Sequence, residues 1–276
     1  PIELGWNVYD PPQMVHGYAS YAVKISGFEP EKIYAIHFSR ISSAFTAFLN
    51  GKPFYSSGIP GENFEKEIFD WAADTVILPL ADETEATLVV HMSNFHDRNP
   101  GLETPFQFGL YTTIQAKTSL DKLITSGIFS ILLTMATFFI SLFFFYRKET
   151  TAGIFGLLCY SFAVRTLCYN GFLLKDFFPD ISSIIMFRLG YLTFPLCAVF
   201  TFLFIRNLFI TNASKIFYIL TIPMFLYGLL TIIAPMHVFV DMLVIAQLYI
   251  LFLAIIACII VIYALIRKDP FALLLD

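Results

Sequence analysis

The chain changes character at about Lys122. Before it, short alternating stretches are separated by polar turns; after it come apolar runs such as "LITSGIFSILLTMATFFISLFFFY", each of about twenty residues or more. A bilayer core about 30 Å thick is crossed by about 20 apolar helical residues, so the second part of the chain must fold in lipid. With 57% hydrophobic residues, 17% aromatics and a mean hydropathy of +0.72, the 276-residue chain is too apolar for one water-soluble domain. Two regions follow: 1–120, outside the bilayer, and 121–276, within it.

Charge divides at the same place. Residues 1–121 hold 15 Asp/Glu against 7 Lys/Arg, while 122–276 hold 10 Lys/Arg against 6 Asp/Glu. The acidic first region would repel phosphates, which excludes nucleic acid as its partner. The chain begins at Pro1 without a basic n-region or apolar signal segment, and "DPFALLLD" at its end reads as the start of another apolar run near 270. The expectation is a fragment that a signal peptide precedes in the natural chain. Cys159, Cys168, Cys197 and Cys258 all lie in apolar runs, where cysteine behaves as a small hydrophobe; neither a disulfide framework nor a metal site is expected, and no cofactor.

Residues 1–120 alternate with period two, as half-buried strands do. In "SYAVKIS" Tyr21, Val23 and Ile25 share a face; in "IYAIHFS" Tyr34, Ile36 and Phe38 oppose Ala35 and His37. Asn50-Gly51 within "AFTAFLNGKPFY" predicts a tight hairpin, since both residues tolerate positive φ. "TVILPL", "ATLVVHMS" and "FQFGLYTTI" are further strands, and "QAKTSLDK" a short linker into the membrane. The fold class is an all-β jelly-roll sandwich followed by an all-α transmembrane bundle. Five spans are expected at 123–146, 152–174, 184–209, 216–234 and 238–266. Arg147, Lys148, Arg206, Lys215, Arg267 and Lys268 gather at one set of span ends; at the other, Lys122, Lys175 and Arg188 are diluted by Asp121, Asp176, Asp180 and Asp241. The excess of basic residues marks the cytoplasmic side and puts the sandwich outside.

Three stretches resemble one bacterial family, the seven-transmembrane receptors with diverse intracellular signalling modules. "AFTAFLNGKPFYSSG" is similar to the strand–Asn-Gly–strand of its galactose-binding-like jelly roll; "LVVHMSNFHDRNPG" resembles a strand ending in Ser-Asn-Phe-His with a basic residue and a glycine turn, although Asn99-Pro100-Gly101 replaces the usual pair of glycines. "GIFGLLCYSFAVRTLCYNG" resembles the family's second span, its internal arginine included. The resemblance implies seven spans in the bacterial inner membrane, an extracytoplasmic domain that binds a carbohydrate or other small ligand, and a cytoplasmic kinase, nucleotide cyclase or phosphatase output through which the chain would dimerise. Similar jelly rolls also serve as sugar-binding domains of glycoside hydrolases.

Two constellations stand out. Asn94, His96, Asp97 and Arg98 form the densest set of hydrogen-bonding side chains outside the membrane, and with Trp71 as a stacking face they make a candidate ligand site. Equally, Asn94 and Asp97 suit a turn closed by Asx hydrogen bonds, with His96 packed structurally. Within the membrane, Arg165 stands 13 residues from Ala152 and 9 from Leu174, where a charge is costly and turns to the bundle interior. Gln247, the shallower Asp241 or a group on spans beyond this fragment is its expected partner in a polar cluster that either couples the spans or only holds them together. Arg188, near a span edge, has room to snorkel and no assigned role; the "EKE" at 65–67 reads as a solvated turn. Against a receptor stand a transporter with an outer capture domain and a membrane hydrolase. The first lacks a rich set of polar midplane residues; the second has no HExxH, G-x-S-x-G or acid pair, so catalysis is not expected within these residues.

Overall fold

The computed structural model describes residues 16–41, 43–70, 72–80, 83–97, 105–146, 150–169, 173–210 and 215–266. Seven strands come first: β1 Gly17–Ser26, β2 Tyr34–Ile41, β3 Ala44–Leu49, β4 Lys52–Ser57, β5 Ala72–Ile77, β6 Glu85–Asn94 and β7 Gln107–Leu110. All pair antiparallel, in a four-stranded sheet of order β1-β6-β3-β4 and a three-stranded sheet of order β5-β2-β7. One core draws on both: Ile36, Phe38 and Ile41 from the smaller sheet meet Phe45, Leu49, Leu88, Val90 and Met92 from the larger. Phe38 lies 5.1 Å from the Phe45 ring and stacks on Tyr55 at 5.0 Å. Each such buried side chain contributes about 1.5–3 kcal/mol by its removal from water, and this cluster is what holds the two sheets together as a sandwich.

Period-two alternation predicts most of these strands. Tyr21 and Ile25 do pack on the core, but Val23 is exposed, and Ala35 is buried along with its neighbours Ile36 and Phe38. The β3–β4 turn has φ of 49° at Asn50 and 79° at Gly51, as an Asn-Gly hairpin requires.

The junction with the membrane region differs from the expectation. The strand in "FQFGLYTTI" stops at Leu110, and α1 runs from Tyr111 to Phe145 as one helix of 35 residues, so "QAKTSLDK" is helical and not a linker. Its composition explains this: Gln115, Ala116, Lys117, Leu120 and Lys122 are good helix formers, and extending an existing helix costs far less than starting one. The first turn is tied down by Tyr111, whose N–H donates to the Ile33 carbonyl at 2.9 Å.

Then follow α2 Thr150–Tyr169, α3 Leu173–Phe177, α4 Ser183–Phe209, α5 Ile216–Ile219, α6 Ile222–Ile233, α7 Met236–Asp241 and α8 Leu243–Ile266. Among the described residues, five helical stretches are long and apolar enough to cross a membrane: 111–145, 150–169, 183–209, 216–233 and 243–266. Leu173 and Leu174, expected at the end of the second span, belong instead to the short α3. The fourth span is broken at Leu220 and Thr221, just ahead of Pro223, whose ring suits a helix start and not its interior. Residues 238–241, expected in the fifth span, lie in α7, and a turn at Met242 precedes α8. The start of a sixth span at 270 lies outside the described residues.

By packing, the chain forms two compact units. The first is 1–124 with 170–187, the second 125–169 with 188–276. The first unit, called the outer one for the sandwich it holds outside the helical spans, therefore takes in the first turns of α1, all of α3 and the beginning of α4.

Candidate functional site

In the outer unit, the segment 58–70 leaves β4 and returns upon itself. Ile59 and Ile68 exchange backbone hydrogen bonds at 3.0 Å in both directions, and the Asn63 side chain accepts from the Lys66 N–H at 3.0 Å. The return is tight: a Cβ on Gly61 would stand 2.4 Å from the Glu67 nitrogen, so only glycine fits there. This folding turns Glu67 inward. The "EKE" turn is thus only partly solvated: Glu65 and Lys66 are exposed, but Glu67 is 5% exposed.

Glu67 organises the strand end that the sequence singles out. Its Oε2 accepts from the Ser93 hydroxyl at 2.5 Å, and its Oε1 from the Phe95 N–H at 3.2 Å and His96 Nδ1 at 2.8 Å. Ser93 Oγ in turn accepts from the Gly61 N–H at 2.9 Å. Asn94 and Asp97, both buried, close their own turn: Asn94 Nδ2 donates to the Asp97 carbonyl at 2.7 Å and Asp97 N–H to Asn94 Oδ1 at 3.1 Å. The His96 ring lies against Phe64 at 4.3 Å and Phe69 at 5.7 Å. Of the candidate ligand residues, then, Asn94, His96 and Asp97 are turned into the protein, where an unpaired carboxylate or amide would be costly; Arg98 and Trp71 lie outside the described residues. The missing signal was parity, since Glu67 and Phe69 alternate with the exposed Lys66 and Ile68.

Three residues after Glu67, Asp70 makes a second centre that the sequence does not reveal. Its carboxylate accepts from Ser57 Oγ at 3.0 Å, from Lys175 Nζ at 2.9 Å and from the Ser183 hydroxyl. Burial alone would raise the pKa of Asp70; the hydrogen bonds from Ser183 and Lys175, the Lys175 charge and the Ser57 bond outweigh it and hold the carboxyl below its ordinary value. The partners come from three places: Ser57 ends β4, Lys175 lies in α3, and Ser183 opens α4. Beside them Phe69 meets Phe187 of α4 edge-on at 5.5 Å, and Lys122 of α1 pairs with Asp176 of α3 at 2.7 Å. The segment 58–70 thus bears Glu67 toward the sandwich and Asp70 toward the first turns of α4.

In the membrane unit, Arg165 of α2 donates to the Gly190 carbonyl at 3.3 Å, with its guanidinium 4.5 Å from the Tyr169 ring and 5.6 Å from Phe194. Gly190 packs close to the Tyr169 ring: a Cβ there would stand 2.6 Å from it, so the ring would have to shift. Gln247 and Asp241 are exposed, and among the described residues neither bonds to Arg165. Arg165 instead borders an apolar cavity of about 330 Å³ lined by Phe194, Cys197, Phe202, Leu253 and Ala257. Arg188, given no role by its sequence position, donates to the carbonyls of Thr231 at 2.8 Å and Ile232 at 2.9 Å. These are among the last carbonyls of α6, which have no partner within the helix, and a cation there also suits the helix dipole. Among the described residues no group of three His, Cys, Asp or Glu is placed to hold a metal ion.

An antiparallel β-sandwich followed by apolar helices of membrane-crossing length defines a multi-pass membrane protein with a folded domain outside its spans. The family described as 7TM diverse intracellular signalling matches residues 121–275, more than half of the chain, and the chain belongs to that family. Residues 121–275 are thereby a receptor-type membrane domain of the sensory class. No curated protein matches it. Among solved structures, the crystal structure of GH2 beta-galacturonidase from Eisenbergiella tayi bound to galacturonate is similar over 38% of this chain and 19% of that one, at 17% identity and a TM-score of 0.29. A likeness of that size says nothing about what this chain binds.

Proposed function

We propose that the protein is a sensor whose β-sandwich, at 1–120, binds a small extracytoplasmic ligand of carbohydrate type, and whose helices, at 121–276, pass its state to a cytoplasmic output module. The bias of basic residues toward one set of span ends supports the outside orientation of the sandwich in a bacterial inner membrane. Asp70 is the observation that carries the reading. One carboxylate, held by Ser57, Lys175 and Ser183, bonds the end of the sandwich's β4 to α3 and to the start of α4. A ligand acts on such an arrangement only through unequal affinity for two states. A contact worth about 1.4 kcal/mol shifts a two-state ratio tenfold, and hydrogen bonds to a charged group reach about 1.5–3 kcal/mol each.

Asp70→Asn tests this in the full receptor with its native output. The substitution keeps the shape and removes the charge that holds Lys175. Basal output should move severalfold with expression unchanged; basal and stimulated output both equal to wild type would refute the role given to Asp70. The Arg165 centre is the competing route. If Arg165→Gln alters output and Asp70→Asn does not, the signal enters through the bundle and not through this contact.

A further inference from the structure

A concave site on the first unit is lined by none of the Asn94–Asp97 residues. It has a volume of about 480 Å³ and is lined by Tyr18, Ser20, Gly61, Glu62, Lys66 and His91, among others. That volume lies within the range of small-molecule sites. Its floor is the sheet: Ser20 of β1 is directly opposite His91 of β6, with Ser20 Oγ 2.6 Å from His91 Nδ1. Tyr18 stands two residues before Ser20 on the same face, the one opposite the core, and is 71% exposed. Its wall is the segment 60–66, where Lys66 and Glu62 pair at 3.0 Å.

We propose that this groove is the ligand site and that it takes a neutral mono- or disaccharide. The inference rests on the receptor reading above and gives it an address. The site offers an aromatic face at Tyr18, a hydroxyl and an imidazole at Ser20 and His91, and a donor beside an acceptor at Lys66 and Glu62. Vicinal hydroxyl groups answer that set, since each both donates and accepts, and the apolar face of a sugar ring answers an exposed tyrosine ring. The Lys66–Glu62 pair is neutral as a whole, and the acidic excess of residues 1–121 disfavours an anion. The wall is also preformed: the Gly61 N–H is fixed by Ser93 Oγ, which donates to Glu67. A sugar held by Lys66 therefore touches the same short segment that ends in Asp70.

The test uses the whole chain in lipid nanodiscs, with glucose, galactose, N-acetylglucosamine, maltose and lactose as probes at millimolar concentration. Acylation of His91 by diethylpyrocarbonate is followed by mass spectrometry, with the largely enclosed His96 as internal reference, and binding by calorimetry. At least one sugar should slow modification of His91 severalfold. Tyr18→Ala and Lys66→Met, both at exposed positions, should each weaken that sugar about tenfold, a loss of about 1.4 kcal/mol. A sugar that binds but leaves His91 unprotected and is indifferent to both variants puts the site elsewhere and leaves the sensor reading standing. Failure of every probe to bind overturns the saccharide assignment, while the response of output to Asp70→Asn judges the sensor reading on its own.

Discussion

The outer unit and the membrane unit each enclose polar side chains, and they satisfy them differently. In the first unit, Glu67 accepts from Ser93, the Phe95 N–H and His96, and Asp70 from Ser57, Lys175 and Ser183, several of them side chains from distant parts of the sequence. Within the bundle, Arg165 and Arg188 turn to backbone carbonyls and aromatic faces. A carboxylate accepts only and must recruit donors, whereas a guanidinium with five N–H groups can turn to backbone carbonyls, as Arg188 does at the end of α6. The outer centres therefore depend on tertiary assembly and are sensitive to its rearrangement. The arginines instead join pairs of helices within the bundle, α2 to α4 through Arg165 and α4 to α6 through Arg188.

That contrast predicts an order of effects. Glu67→Ala should be the most damaging, because it strands Ser93, the Phe95 N–H and His96 in a buried place at once; a loss of about 3–5 kcal/mol is expected, read as collapse of hydrogen-exchange protection across β6 and the segment 58–70. Gly61→Ala breaks the same centre through the backbone and should cost a comparable share, since no flexible side chain stands in the way to yield. Asp70→Asn comes next at about 1–3 kcal/mol, with the partial exposure of both Asp70 and Lys175 keeping it to the lower part of that range.

Arg165→Gln should cost only about 1 kcal/mol, the scale of interhelical polar contacts in membranes, by thermal stability in detergent. A larger loss than that of Asp70→Asn would reverse the ranking of the two units. Lys122→Ala removes a pair in which both side chains are nearly half exposed and should fall below about 1 kcal/mol.

The pH response separates the centres further. The native pKa of Asp70 is depressed, so its contribution is present above the unfolded carboxylate value of about 3.9 and is lost as pH falls through the lower native one. Protection of the first turns of α4 should thus hold from neutral pH down to about 4 and fail only below it. A loss beginning near pH 6 would mean that another group holds this contact.

Much of this was readable in the sequence, because strand alternation and apolar run length are local signals. Asn50-Gly51 carries its own turn, and the Lys122 boundary announces a change of solvent. The start of α1 was misread because "YTTI" suits a strand as well as a helix, and the choice falls to the span that follows. The polar centres were harder. Asn94 and Asp97 were visible as a constellation and legible as an Asx-closed turn. But Glu67 looks like any charged turn residue, and Asp70 is paired with residues more than a hundred positions away. Whether a carboxylate is solvated or enclosed depends on which distant donors the fold delivers, and no local pattern encodes that.

The account stands most directly on the bond between Asp70 and Lys175. A double-mutant cycle of Asp70→Asn and Lys175→Met, read as basal signalling output of the full receptor, measures it. Each single change should shift output in the same direction, and the double variant should equal either single one, giving a coupling of about 1 kcal/mol or more. Fully additive effects, with no coupling between the two positions, would contradict the claim that this contact joins the sandwich to the membrane helices.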